Sequence, residues 1–453
     1  MSVFVFTVSY HTQDLNMIRN LLLCLLITLI HANNLFGQVD TIKSESLNFH
    51  FQQTIIVQEH PSFNSPYIGK NSLNPNESSA TSLTSTFFLG FRIFNGAEIY
   101  FNPELAGGMG LSSTTGAAGF PNGEIYRVSN PEPVFSIARF FLRATINLSS
   151  ESEKLEDGQN QISGLVNTHR LVFTLGKFSL CDIFDNNNYA HDARNQFMNW
   201  SLMASAAWDY PADVKGYTYA FSAEYIVPGF AVRSAIAMVS TVANGPDMDT
   251  DIKNNYGLVL ELEKSFLFAG RKGITRIILF QNKANMGNYN DVINNPGYNM
   301  DITNSRLPGR TKTGFVINNE YSLNDNLGIF LKYSWNDGKT ETWEFTEIDH
   351  SLSFGLVAAN VKLFNKPGEF GFACAINGLS DDHRDYLAKG VYGFIIGDSK
   401  LNYGLETIFE VYYKVTIFNL VSLTPDYQFI INPAYNIDRG PVNIFSLRTH
   451  VEF

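Results

Sequence analysis

The chain runs to 453 residues, of which 45% are hydrophobic, 14% aromatic and only 17% charged, with a formal net charge of −11. That acidic balance, with no basic run anywhere, excludes a nucleic-acid surface, because binding a polyphosphate takes clustered Lys and Arg that release counterions. Length alone does not demand two domains, since barrels commonly run this long as one unit, and Phe (37) with Tyr (21) make the chain aromatic-rich for a soluble enzyme.

The first predicted element is an address. Met17-Ile18-Arg19-Asn20 supplies a short positive region, Leu21 to Ile30 an apolar run, and Leu35-Phe36-Gly37 a cleavage site before Gln38, the pattern of a secretory signal. Met1 to Asn16 reads as an over-called start, so residues 1–37 are expected to be removed and residues 38–453 to form the mature domain. The run is too short to cross a bilayer as a helix, which needs about twenty residues. Leu21-Leu22-Leu23-Cys24 is rejected as a lipidation signal because Leu23 is not small and Cys24 sits in mid-run.

Beyond it the chain reads as strands at about 47–57, 83–94, 97–106, 137–148, 169–178, 217–227, 231–240, 255–265, 274–284, 313–322, 327–336, 351–364, 369–377, 404–417, 421–432 and 444–453. Period two marks them. Leu327, Ile329, Leu331, Tyr333 and Trp335 alternate with Gly328, Phe330, Lys332 and Ser334, and in the last strand Phe445, Leu447 and Val451 alternate with Ser446, Arg448, His450 and Glu452. Links alternate between short and long: Asn95-Gly96, Pro228-Gly229, Asn324-Asp325-Asn326, Asn365 to Gly368 and Asn419 are tight, whereas 58–82, 107–136, 179–216, 285–312 and 378–403 are long. That asymmetry belongs to outer-membrane barrels, with short periplasmic turns and long extracellular loops. No later segment approaches twenty consecutive apolar residues, and a closed barrel is the other way to pair every backbone polar group in lipid. The expected fold is therefore all-β, a transmembrane antiparallel barrel of about sixteen strands, in the Gram-negative outer membrane. The acidic link 149–168 breaks the pattern, being long where a short one is due. The chain ends on Phe453 after an alternating strand, a feature of proteins handed to the outer-membrane assembly machinery.

A barrel of this size is expected to enclose an aqueous channel rather than a core, so function is read from inward residues. Phase turns Phe88 and Arg92 inward, then Glu98, Tyr100, Asn102 and Glu104, then Arg139, Phe141, Arg143 and Asn147. Glu104 and Arg139 are expected at the outer mouth, with Tyr100 and Arg143 deeper. Facing Arg and carboxylate groups suit a hydroxyl-rich neutral solute, and Tyr100 and Phe141 offer faces for a sugar ring; the plainer reading is that they only solvate the wall. Glu224, Glu406, Glu410, Lys414, Arg448 and His450 also face inward by phase, and for each the solvated-wall reading is favoured.

The stretch from Gly176 through Asp182, Asp185, Asp192, Trp200 and Trp208-Asp209-Tyr210-Pro211 is the densest. Compact long loops of this kind are usually functional, and it is expected to fold inward and narrow the pore. Asp182, Asp185, Asn187 and Asp192 lack the glycine and terminal glutamate of a calcium loop, so Asx turns are the preferred reading, and no metal or cofactor is expected. Cys181 and Cys374, far apart, make neither a disulfide framework nor a zinc site. His191 beside Asp192, and His383 after Asp381-Asp382, are the acid–base candidates for an enzyme, but no nucleophile elbow, zinc motif or phosphate loop accompanies them.

Tyr67-Ile68-Gly69-Lys70-Asn71-Ser72-Leu73, Gly119-Phe120-Pro121-Asn122-Gly123-Glu124-Ile125-Tyr126-Arg127, the Gly176-to-Tyr217 segment ending Pro211-Ala212-Asp213-Val214-Lys215-Gly216-Tyr217, and Tyr427-Gln428-Phe429-Ile430-Ile431-Asn432-Pro433-Ala434-Tyr435-Asn436 together resemble the OprB-type carbohydrate-selective porins. The resemblance spans most of the mature chain. It implies a sixteen-stranded outer-membrane barrel for passive uptake of sugars, with arginine and glutamate at a constriction whose residues no tight motif places. Loops 285–312 and 378–403 depart from the pattern and leave the preferred sugar open. The competing expectations are a barrel for polysaccharide export or surface attachment and a barrel hydrolase.

Overall fold

The computed structural model describes residues 45–125, 132–363, 366–417 and 420–453. The expected start and signal at 1–37, the mature start at Gln38, Tyr126 and Arg127 of the second motif, and the links at Asn365 and Asn419 lie outside the described residues.

The strands are β1 (Leu47–Glu59), β2 (Ala80–Phe94), β3 (Ala97–Gly108), β4 (Val134–Asn147), β5 (Ser152–Leu155), β6 (Gly164–Asn167), β7 (Arg170–Phe178), β8 (Thr218–Val227) and β9 (Phe230–Ala237). They continue as β10 (Tyr256–Phe268), β11 (Arg271–Met286), β12 (Leu307–Asn324), β13 (Leu327–Asn336), β14 (His350–Leu363), β15 (Lys366–Gly378), β16 (Glu406–Ile417), β17 (Val421–Ile431) and β18 (Val442–Glu452). All but β5 and β6 form one closed antiparallel barrel in which each strand pairs with its sequence neighbour, β4 pairs with β7, and β18 closes on β1 through a register running from Gln52 opposite Glu452 to Glu59 opposite Phe445. The barrel therefore has sixteen strands. Closure removes the unpaired edges that lipid would penalise.

Alternation decides which way each strand faces. On β13, Leu331, Tyr333 and Trp335 are exposed outward, whereas Phe330, Lys332, Ser334 and Asn336 are buried inward. On β16, Glu406, Ile408, Glu410 and Tyr412 turn inward and are buried. A polar inner face under an apolar outer face is what a hydrocarbon surround requires. The register slips once on the wall that matters most: Asn102 lies opposite Arg139 but Pro103 opposite Ile137. Proline has no N–H to give to the ladder, and the bulge it forces lets one residue, Ala138, go without a partner.

The interior is not the open aqueous channel expected of sixteen strands. Loop residues Leu73, Leu111, Ala117, Ala190, Phe197 and Leu202 pack against inward Phe330, Ile408, Tyr412, Ile430, Val442 and Ile444 in a dry cluster. Apolar side chains stand among the polar ones on the inner faces of β13 and β16–β18, and returning loop covers them. Open space remains on the opposite side, along β2, β3, β4, β7 and Tyr217, which leads into β8.

Candidate functional site

The loop from Ser179 to Tyr217 crosses the lumen and fastens to the far wall. Asp185 N–H donates to Glu261 at 2.8 Å, Asn188 N–H to Glu320 at 2.7 Å, and the Met198 and Asn199 N–H groups to the two oxygens of Glu410 at 2.6 and 2.9 Å. Cations take the carbonyls: Lys332 donates to Ala190 O at 2.6 Å, and Arg448 to Ala193 O and Gln196 O, each at 2.7 Å. A one-turn helix, Trp200–Met203, begins where Asn199 accepts the Ser201 N–H. Wall charge thus satisfies loop backbone that water would otherwise have to reach.

Between this loop and the β2–β8 wall lies a cavity of about 500 Å³. Its middle is organised around Tyr217, whose hydroxyl donates to Glu104 at 3.0 Å while the Arg139 guanidinium lies 5.1 Å from its ring centre. Arg139 forms a two-pronged pair with Asp182 at 2.6 and 2.7 Å. Arg194, projecting from the loop, meets Glu124 at 2.6 Å and Glu104 at 3.3 Å, and Lys177 pairs with Asp213 at 3.1 Å. Burial pushes the Tyr217 hydroxyl above its ordinary value, as does the Glu104 carboxylate, so it remains a donor. Burial likewise raises the Glu124 carboxyl, against the pull of Arg194.

On the extracellular side aromatic rings line the space: Phe120 stacks on Trp200 at 5.0 Å, Trp200 on Tyr210 at 6.0 Å, and Phe345 packs on Tyr210 at 5.1 Å. On the periplasmic side Tyr100 stacks on Phe141 at 4.9 Å and Arg143 covers both rings. There Arg92 binds Glu98 at 2.8 Å, and the Tyr100 hydroxyl donates to Glu98 at 2.6 Å.

The structure brings together Arg92, Glu98, Tyr100, Glu104, Arg139, Phe141 and Arg143 on one wall, with Asp182 and Trp200 facing them from the loop. Glu104 and Arg139 do not pair with each other; both meet Tyr217. Glu224 points inward elsewhere, bonded to Arg233 at 3.0 Å. Glu410 and Arg448 face inward but are wholly buried beneath the loop, so they meet backbone and not the open space. Asp185, Trp208 and Asp209 are buried too: Asp185 accepts from Ser205 and Asn318, and Asp209 accepts the N–H groups of Trp343 and Glu344 and pairs with Lys312. The loop carries them inward, but they fix its shape and do not line the cavity. Arg194, Tyr217, Glu124 and Lys177 were not singled out by sequence; Arg194 had a signal, being the one Lys or Arg between Ser179 and Val214.

Asp182 is committed to Arg139, Asp185 and Asn187 share Asn318, and Asp192 accepts the Arg194 N–H in an Asx turn at 2.8 Å; no group of three or more metal-ligating side chains occurs among the described residues. His383 lies on the helix Asp381–Ala388, capped by Ser380, where its ring bonds Asp349 at 3.0 Å and stacks on Tyr289 at 4.4 Å. Cys181 and Cys374 are free thiols.

A family model described as carbohydrate-selective porin, OprB family, matches residues 89–453. Among solved structures, the high-pH structure of Pseudomonas putida OprB superposes with a TM-score of 0.67 at 16% identity, covering 90% of this chain and 94% of that one, a likeness of fold. Porin AaxA of Chlamydia muridarum is 24% identical over 138 residues, 30% of this chain and 26% of its own length, and porin AaxA of Chlamydia abortus is 22% identical over 284 residues, 62% of this chain and 53% of its own. The chain thus spans about half the length, or less, of the curated relatives it matches.

Proposed function

The chain belongs to the OprB family of carbohydrate-selective porins, and on that premise we propose that it conducts sugars and similar small polar solutes passively across the Gram-negative outer membrane. The observation that carries this reading is the mixed lining of the cavity on the β2–β8 side. Arg139, Arg143 and Arg194 alternate there with Glu104, Glu124 and Asp182 around flat aromatic faces. A sugar loses hydration water as it enters a narrow place, and alternating donors and acceptors replace those hydrogen bonds without favouring either charge sign. Its ring carbons meet Trp200, Phe120 and Tyr210 at the mouth and Phe141 below, contacts that hold weakly enough to release. The long loop is the constriction, and Asp182, Arg194, Trp200 and Tyr217 are among the side chains it contributes to the lining. A cavity of about 500 Å³ fits small solutes, which favours them over a polymer for export, and the reading assigns no catalytic step.

Planar-bilayer recording tests it. The purified protein should give steady ion current that added sugars block reversibly, and Arg143→Ala should weaken that block; a silent protein rules the reading out, and an unchanged block removes Arg143 from the path.

A further inference from the structure

The connection from β4 to β7 lies at the barrel end where the neighbouring links are two-residue turns, yet it occupies residues 148–169 and carries a hairpin of its own, β5 paired with β6. Its tip, residues 156–163, does not hang in the periplasm. It turns back under the lumen and binds five adjacent strands. On β1, Asn48 donates to Asp157 at 2.5 Å and to Gly158 O and Gln161 O at 3.1 Å each, and His50 meets Asp157 at 3.0 Å. Gln159 bridges Gln52 of β1 at 3.0 Å and Glu452 of β18 at 2.9 Å. Arg92 of β2 donates to Ile162 O and Ser163 O, Tyr100 of β3 accepts the Ile162 N–H, and Arg143 of β4 donates to Asn160 O at 2.8 Å.

Ile162 fixes the depth of insertion. It is 2% exposed and packs with Tyr100 and Phe141. The wall makes room for this cluster with Gly90, where an added Cβ would stand 2.8 Å from the Tyr100 ring and 3.2 Å from Ile162 Cγ1. An apolar residue seated this way, with backbone carbonyls bonded to wall cations, marks a docked plug and not a loose turn. Gln159 and Asn160 line the same cavity as Glu104, Arg139 and Asp182, so any solute passing the upper narrowing meets the tip next. The hairpin is also acidic: Glu151, Glu153, Glu156 and Asp157 stand against Lys154 within it; Glu153 pairs with Arg170 and Glu156 with Lys154, while the Glu156 and Asp157 side chains keep 75% and 43% exposure.

We propose that this periplasmic hairpin is a second, lower filter of the channel, a floor that narrows the exit and gives it a preference for cations over anions. The inference rests on the porin reading above and adds a narrowing on the opposite side of the membrane from the long loop. Two narrow places in series add their resistances, and carboxylates within a Debye length, about 8 Å in physiological salt, concentrate cations at the exit.

The test replaces residues 156–163 with two glycines, a turn that suits the facing Leu155 and Gly164, and records single channels under a salt gradient. The shortened chain should conduct roughly twofold or more over the parent, and its reversal potential should move toward anions. A second arm places Gln159→Cys in a Cys181→Ser, Cys374→Ser background, where a charged thiol reagent should cut the current relative to that background. If the shortened chain does not insert, the cysteine arm decides. A conducting parent whose current is indifferent to both changes overturns the floor while leaving the porin reading in place; a silent parent removes the porin reading instead.

Discussion

His191 sits in the cavity wall at the turn of the long loop, its backbone N–H held by Gln196 Oε1 at 2.7 Å. Burial holds its imidazole below the ordinary value, and the Lys332 ammonium adds to this, while Asp185, Asp192 and Asp182 pull the other way. The neighbouring Asp192 is held below the usual carboxylate range in spite of burial, by the Arg194 N–H, by the charges of His450 and Arg194 and by Asn195. Both shifts have the same consequence for docking of the loop. A histidine with a depressed native pKa contributes stability above its ordinary value of about 6.5, lost as pH falls below it. A depressed aspartate contributes above about 3.9, and this is lost as pH falls through its native value. Acidification from pH 7 to 5 should therefore loosen the loop through His191 first, seen as noisier current and faster proteolysis near residues 190–197. His191→Asn should flatten that change between pH 7 and 5 while sparing the fall below pH 4; a wild-type loop equally protected at both pH values would show that His191 is not the sensor.

At the scale of elements, the wall and the loop are joined by a few charged side chains. Arg448 satisfies two loop carbonyls and Glu410 two loop N–H groups. Stranding buried polar groups costs about 1–3 kcal/mol each, so Arg448→Ala should undock the loop without breaking the β1–β18 seam. Conductance should rise and the loop become protease-sensitive, while the folded barrel keeps its heat-dependent gel mobility; loss of that mobility shift would mean that Arg448 holds the wall itself. These roles also mark where the sequence was legible. Period two identifies the inward face, because a strand offers only two, and this put Arg92, Glu98, Tyr100, Glu104, Arg139, Phe141 and Arg143 on one wall. It could not tell which inward residues remain uncovered, since Glu410 and Arg448 have the same phase as Glu104 and differ only in what the loop does above them. Tyr217 and Arg194 owe their places to a loop path that no periodicity encodes. The oddly long 149–168 link was visible as an anomaly, but its return into the lumen depends on Asn48, Arg92 and Arg143 from distant strands.

For the whole molecule, the four tryptophans divide between the two surrounds that the fold separates. Trp335 stands on the outer face of β13, 38% exposed beside Tyr333 and above Leu331, and its ring packs on the outward Phe315 at 5.8 Å. Trp200, Trp208 and Trp343 are 3%, 1% and 1% exposed, enclosed by loops inside or above the barrel. Outward aromatics near the ends of strands are at home at the membrane interface, where an apolar ring meets acyl chain and headgroup together. A quencher confined to hydrocarbon, such as a bromine-labelled lipid, should therefore reach one emitter and miss three. In reconstituted protein, Trp335→Phe should abolish the lipid-dependent quenching, while Trp343→Phe should lower total emission and leave the quenched component intact. If quenching survived the loss of Trp335, an interior tryptophan would have to touch lipid, and the division into a greasy outer wall and a loop-filled lumen, on which the placement of both filters depends, would be wrong.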